Sequence, residues 1–494
     1  MAIDFSQMAA MGPATRPNRA VRETGLARRV DGLLRDAVER LDLPGLAVGV
    51  VQDGELAFAA GFGVKCVATG EPVSAATLFQ AATVSETCVA AGILQLAEAR
   101  ELSLDTPVAE LLPYFSMRDP RHRDIRVRHL LAHSAGLPEM AEFPARDRAA
   151  DDRALERFVR RLGGETLASA PGERWRWTHT AYAVLGDILA KAGGASFETV
   201  VKRRVLGPAG MHHSTFREDE ALSCLVAAPH LRAPETVPSP VWSYNRGHAP
   251  ATCLQTNVLE LCNWARVHLS RGRVDGRRLL RPSSFDLLWR AGTAAGGGPA
   301  DLTPGLGWLL GEVDGEPAAM QTGWDPGFSA CLILLPARGV AGVALCNESA
   351  APLRALLVQV FRALRGEKAQ LPDAPPALSI SRRLAAGGLP AAAEEYGRLC
   401  AAGGREGGDG GRGLVLLGLQ LLWAGQTETA RGLLELVVER HPDCAEGRHA
   451  LAMACERLGD GERAVALLRR YLEMEPSGGV AARRLLQLTG GGVH

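Results

Sequence analysis

Residues 79–102 read FQAATVSETCVAAGILQLAEAREL, a short β-prone start followed by a long run with apolar residues at helical spacing. Thr83 and Glu86 stand three apart where that helix begins. Thr-x-x-Glu at a helix start satisfies the pattern of a capping box, in which the hydroxyl takes the Glu backbone N–H and the carboxylate reaches back. The same spacing also puts two reactive side chains on one face of a helix, as the altered centre of an active site would.

Upstream, GLAVGVVQDGELAFAAGFG (45–63) gives two β-prone runs around Asp53-Gly54, a strong hairpin signal. Far downstream, SACLILLPA (329–337) and GVAGVALCN (339–347) form two more, turning at Arg338-Gly339. A helical stretch covers Leu26 to Leu41, and the middle of the chain is rich in helix patterns, loops and turns. Antiparallel strands drawn from both ends of a segment, flanked by helices and enclosing a helical region, predict an α+β domain.

The chain has 494 residues, ample for two or three domains, and is 47% hydrophobic and 22% charged, an ordinary globular mixture. Its 55 basic residues balance 55 acidic ones, which argues against nucleic acid or a membrane surface as partner. No apolar run approaches the roughly 20 residues that span a bilayer. The first twenty residues carry no secretory pattern, so a cytoplasmic location is expected. Ten cysteines are scattered singly with no CxxC pair, and are expected to be reduced core residues, with no metal and no cofactor.

LPDAPPALS (371–379) marks a linker. The expected boundaries are a flexible tail over 1–25, an α+β domain over 26–368, a linker over 369–380 and an all-helical domain over 381–494. In the last part Gly425, Ala430 and Pro442 recur as Gly459, Ala464 and Pro476, each displaced by 34, with Leu417-Gly418 recurring as Leu451-Ala452 and Leu434 as Leu468. This period resembles the tetratricopeptide repeat. Gly388 and Ala393 suggest a third, degenerate unit, GGREGGDGGRG (403–413) a mobile loop, and Val480 to Leu488 a closing helix. A solenoid of this kind is either a stabilising appendage or a surface for a peptide or protein partner.

The blocks 77–113, 125–138, 171–198, 203–216, 305–310 and 320–347, in that order, resemble the serine β-lactamase and penicillin-binding-protein superfamily, in the branch of class C β-lactamases, D-aminopeptidases and esterases. The resemblance covers Leu26 to Gly366 and implies a β-lactamase-like antiparallel sheet with flanking helices and an all-helical lobe. It also implies a nucleophilic Ser and a Lys three residues on, a Tyr-x-Asn pair, and a third motif opening with Lys or His. Here these positions carry Thr83 and Glu86, Trp177 and His179, and Gln321.

Each replacement weakens acyl transfer. The extra methyl of Thr83 crowds its hydroxyl. Glu86 reverses a positive charge and opposes an oxyanion. Indole only donates, so Trp177 is neither acid nor base, and Gln321 carries no charge to attract a carboxylate. The resemblance further brings Ser85, Trp175, His248, Thr322, Gly323 and Trp324 to the same cleft as ligand-binding candidates.

Three readings follow. One is a pseudoenzyme that binds a small molecule and docks a partner through its repeats. The second is a repurposed enzyme using Glu86 and His179 as an acid/base pair for an isomerisation or cyclisation. The third is a residual esterase using Thr83. A cleft plugged by Trp177 and Trp324 would favour the first. His129 and His133, at i, i+4, are expected to pack rather than bind metal, His212-His213 to be exposed, and GTAAGGGPAD (292–301) to be a flexible loop.

Overall fold

The computed structural model describes residues 25–140, 151–274, 276–292, 301–401, 411–476 and 478–490. The tail, most of the 292–301 loop and most of the glycine-rich 403–413 segment therefore lie outside the described residues.

The two hairpins read from the sequence form the heart of a seven-stranded antiparallel sheet. Helix α1 (Gly25–Arg40) leads into β1 (Gly45–Gln52) and β2 (Glu55–Gly63). Asp53 and Gly54 between them both take positive φ, 52° and 81°, the type I′ geometry that lets two residues reverse a twisted ribbon. The remaining strands are β5 (Thr303–Pro304), β6 (Leu309–Val313), β7 (Glu316–Asp325), β8 (Phe328–Leu335) and β9 (Val340–Cys346), in the order β2-β1-β9-β8-β7-β6-β5. N- and C-terminal segments thus pair at the centre, with Val48 opposite Ala344.

Alternation along the strands gives the sheet two dry faces. Leu46, Val48, Val50, Cys331 and Ile333 point to one core, covered by α1 and by α5 (Leu353–Leu364). Ala47, Val51, Ala330, Leu332 and Leu334 point to a larger core. There the sheet packs against the middle of the chain: α2 (Ser85–Glu98), α3 (His179–Gly193) and α4 (Val258–Leu269). Helix α2 is buried on nearly every side from Ser85 to Leu96, as a central helix of the lobe must be.

A small hairpin, β3 (His230–Arg232) and β4 (Thr236–Pro238), projects from this body into the C-terminal region. That region is all helical: α6 (Pro376–Ala401), α7 (Arg412–Trp423), α8 (Thr427–Arg440), α9 (Ala445–Arg457), α10 (Gly461–Met474) and α11 (Gly479–Leu488). Gly425 and Gly459 share φ of 81° in the turns after α7 and α9, so the 34-residue period has a geometric counterpart. Helix α6 kinks at Gly387 and Gly388, next to Pro390. The linker expected over 369–380 is shorter than its composition suggested, because Pro376 opens α6, a position where its missing N–H costs nothing.

Ala233, at the tip of the small hairpin, is buried in the core of the helical region with Leu417, Leu421 and Ala430. Its carbonyl accepts from Gln426 Nε2 at 2.7 Å, and the Arg232 N–H donates to Gln420 Oε1 at 2.6 Å. Seven of the ten cysteines are buried and all are free; Cys224 is exposed, contrary to the expectation of core placement. Among the described residues no helix is long and apolar enough to cross a membrane.

Candidate active site

Glu86 occupies the first turn of α2 with no solvent exposure. Its Oε1 accepts from Trp177 Nε1 at 2.9 Å, and its Oε2 accepts from Gln321 Nε2 at 3.0 Å and faces His133 Nε2 at 3.2 Å. A buried carboxylate needs partners for its lone pairs, and here three side chains from three separate segments supply them. Thr83 lies one turn earlier, in a 3-10 turn over Ala82–Val84, and donates its hydroxyl to Gln321 Oε1 at 3.2 Å. Gly323 packs so closely that a Cβ there would stand 2.3 Å from Thr83 Oγ1.

This corrects the capping-box expectation. Val84 at the N-cap already has helical φ/ψ, and neither turn has a side-chain cap. The Glu86 carboxylate turns into the cleft instead. Ala82 and His133 both take left-handed backbone, φ 44° and 49°. Strain of this kind costs on the order of 1–3 kcal/mol per residue and gathers at sites that must be aimed.

The expected pairing of Glu86 with His179 is also corrected. His179 opens α3, and its ring Nδ1 and backbone N–H both meet Glu139 Oε2, at 3.1 and 2.9 Å. Burial opposes charge on this ring, but Glu139, then Asp325 and Glu86, outweigh it and raise its pKa above the usual histidine value. The Trp177 and His179 rings meet edge to face at 4.6 Å, and His248 lies 5.5 Å beyond. Burial, and then the neighbouring His179, hold His248 down to about 3, so it is neutral. Asp325, at the end of β7, is pushed up to about 7 by burial, against the opposing pull of His179 and a hydrogen bond from Gln80.

Of the other candidates, Trp175 stands half-buried with its ring 6.4 Å from His133. Ser85 faces away from the cleft: it is fully buried and its Oγ accepts from Leu254 N–H at 3.0 Å. Thr322 and Trp324 fall on the alternate face of β7 from Gln321, Gly323 and Asp325, and Trp324 is 44% exposed. Trp177 therefore covers Glu86 as a plug would, and Trp324 does not. A cavity of about 260 Å³ lies elsewhere, between Lys191, Glu198 and Arg246.

Sequence reasoning missed His133, Glu139 and Asp325. His133 drew attention through its spacing to His129, but His129 Nδ1 accepts from the Arg126 N–H at the start of its own helix. Among the described residues no group of three or more His, Cys, Asp or Glu is placed to hold a metal.

The β-lactamase family model matches residues 30–365, and the chain belongs to that family. It is 32% identical over 346 residues to penicillin-binding protein 4 of Amycolatopsis lactamdurans, covering 68% of this chain and 89% of that one. It is also 32% identical over 203 residues to esterase EstB of Burkholderia gladioli, covering 39% of this chain and 52% of the esterase. Among solved structures, the octameric penicillin-binding protein homologue from Pyrococcus abyssi superposes with a TM-score of 0.60 at 22% identity, over 73% of this chain and 81% of that one.

Proposed function

We propose that the protein is a non-acylating member of the β-lactamase family whose cleft holds a small molecule without bonding to it covalently. The observation that carries this is the state of Glu86. At the position where the family places its lysine, a fully buried carboxylate is committed to Trp177, Gln321 and His133. The Thr83 hydroxyl is given to an amide oxygen that cannot take its proton. A carboxyl group stands where the family has its cationic lysine, which disfavours an oxyanion developing beside it. Relatives named as a penicillin-binding protein and an esterase support an acyl-bearing compound as the ligand class. The 34-residue period supports a tetratricopeptide-like fold for the C-terminal region.

A second reading, proton transfer on a metabolite, is favoured by one observation: the His179–Glu139 pair, poised toward the protonated state at the edge of the cleft. In this reading Glu139 replaces Glu86 as the partner of His179.

The test is intact-mass spectrometry after incubation with activated esters, β-lactams and a fluorophosphonate. The expected result is no adduct. An adduct absent from Thr83→Ala would overturn the proposal and restore a threonine esterase. Turnover of a screened metabolite that His179→Asn abolishes, without any adduct, would establish the second reading.

A further inference from the structure

Two ion pairs fasten the far end of the helical region to the rim of the cleft, and each lands beside a residue of the ring of side chains around Glu86 and His179. Arg176, between Trp175 and Trp177, pairs with Glu475 at 3.3 Å, and its backbone N–H donates to the His133 carbonyl at 2.7 Å. Arg483 of α11 pairs with Glu165 and reaches Met140 Sδ at 3.2 Å. Met140 is bonded to Glu139, and its N–H donates to Glu139 Oε1 at 2.8 Å and to Thr180 Oγ1 at 3.0 Å. Glu139 in turn receives His179. Gly479 approaches Glu165 so closely that a Cβ there would lie 2.6 Å from its Oε2.

The near end of the region is gripped by the β3–β4 hairpin. The helices are thus fixed at both ends. Partly exposed ion pairs such as these contribute only about 0–1 kcal/mol of stability. Their consequence lies in what they hold still.

We infer that the C-terminal helical region is a positioning element of the cleft: through Arg483 and Glu475 it keeps the Glu139–His179 and Trp177–Glu86 contacts in register. This rests on the reading of the cleft as a binding site and adds how that site is controlled. A displacement of α10 and α11 loosens Glu139 from His179 and the Trp175–Trp177 segment from Glu86. Arg483 and Glu475 are positioning residues, since neither is within the ring itself.

His179 reports the change. The groups facing it are Glu139 from the segment after the short helix at Val127–Leu131, Asp325 from β7, Glu86 from α2, and His248, with Trp177 against its ring. Burial works against its charge, so loss of Glu139 leaves that opposition less answered.

The experiment uses the full-length, ligand-free protein with labelled histidine rings and tryptophan indoles, followed by NMR across pH. Resonances are assigned with His179→Asn and Trp177→Phe. In Arg483→Glu, the His179 titration should move down by about one unit, a tenfold loss of proton affinity. The Trp177 indole N–H should leave its hydrogen-bonded position. Adding Glu165→Arg to Arg483→Glu should restore both signals. Glu475→Gln, a milder change, should shift the indole signal alone.

Wild-type values for both signals in Arg483→Glu and in Glu475→Gln would overturn the inference and leave the contacts as packing. Because no ligand enters the measurement, that result would leave the proposed binding function standing. An acyl adduct on Thr83 would likewise leave this inference standing.

Discussion

Replacing Glu86 by Ala removes a carboxylate that no solvent reaches and strands three donors: the Trp177 indole N–H, the Gln321 amide and the His133 ring. Each buried donor left without a partner costs about 1–3 kcal/mol, and the cavity that replaces the side chain admits water for some of them. Water returns part of those penalties, and the expected loss for Glu86→Ala is about 3–5 kcal/mol. Glu86→Gln behaves differently. Its amide nitrogen can take the place of Oε2 if Gln321 turns its own amide over, offering Oε1 to the new donor and its nitrogen to Thr83 at the expense of its bonds to the Thr322 N–H and the Gly307 carbonyl. His133 must then offer Nε2 as an acceptor and give up the Thr178 N–H that its Nδ1 accepts at 3.4 Å, so the cost is about 1–3 kcal/mol, below that of Glu86→Ala because no cavity is left. Urea denaturation followed by tryptophan fluorescence and circular dichroism measures both, with the transition of the sheet-containing part fitted separately from that of the helical region. A Glu86→Ala protein within about 1 kcal/mol of wild type, or a Glu86→Gln protein as damaged as Glu86→Ala, would refute the view of Glu86 as the structural hub of the cleft.

Other perturbations have equally definite outcomes. Asp325 has its carboxyl raised from 3.8 to about 7. The native protein therefore keeps a proton that the unfolded chain loses on passing pH 4, and the associated stability is present below that pH and lost as pH rises through 7. Asp325→Asn should match wild type near pH 4 and exceed it by about 4 kcal/mol at pH 8 in urea titrations, the rise from 3.8 to about 7 converted at about 1.36 kcal/mol per pH unit. Gly323→Ala should push Thr83 off Gln321, lowering stability by about 1–3 kcal/mol through overpacking; thermal melting together with a crystal structure would check both effects. Arg246 and Glu198 form an ion pair at 2.7 Å with both side chains almost fully buried, so Arg246→Ala should cost about 3–5 kcal/mol while Arg246→Met with Glu198→Leu should cost far less, read by the same denaturation.

Local chemistry made much of the fold readable. Asp53-Gly54 dictates its hairpin because few other pairs accept two positive φ values. Gly339, with φ 64°, does the same for the return between β8 and β9. The positions of Thr83, Glu86, Trp177, His179 and Gln321 were readable from the order of the blocks, but their partners were not. Whether Glu86 meets His133 or His179 depends on how the loop after Leu131 crosses α3, and no periodicity in either segment records that. Thr-x-x-Glu fits the capping pattern as letters, yet the 3-10 turn over Ala82–Val84 rotates the carboxylate into the cleft. The family resemblance brings Trp324 to the cleft with Gln321, whereas strand alternation separates their side chains. Pro376 was read as loop composition, although the first turn of a helix accepts proline equally well.

The small hairpin carrying Ala233 bears on whether the two halves of the chain are interchangeable cassettes. A chain severed within 369–375 would leave the first half displaying an apolar tongue and two backbone groups, the Arg232 N–H and the Ala233 carbonyl, that had been answered by Gln420 and Gln426. The second half would carry the matching slot, open among Leu417, Leu421 and Ala430. Grafting either half onto an unrelated neighbour would carry an unfilled tongue or an unfilled slot with it, so the seam of the polypeptide is not the seam of the architecture.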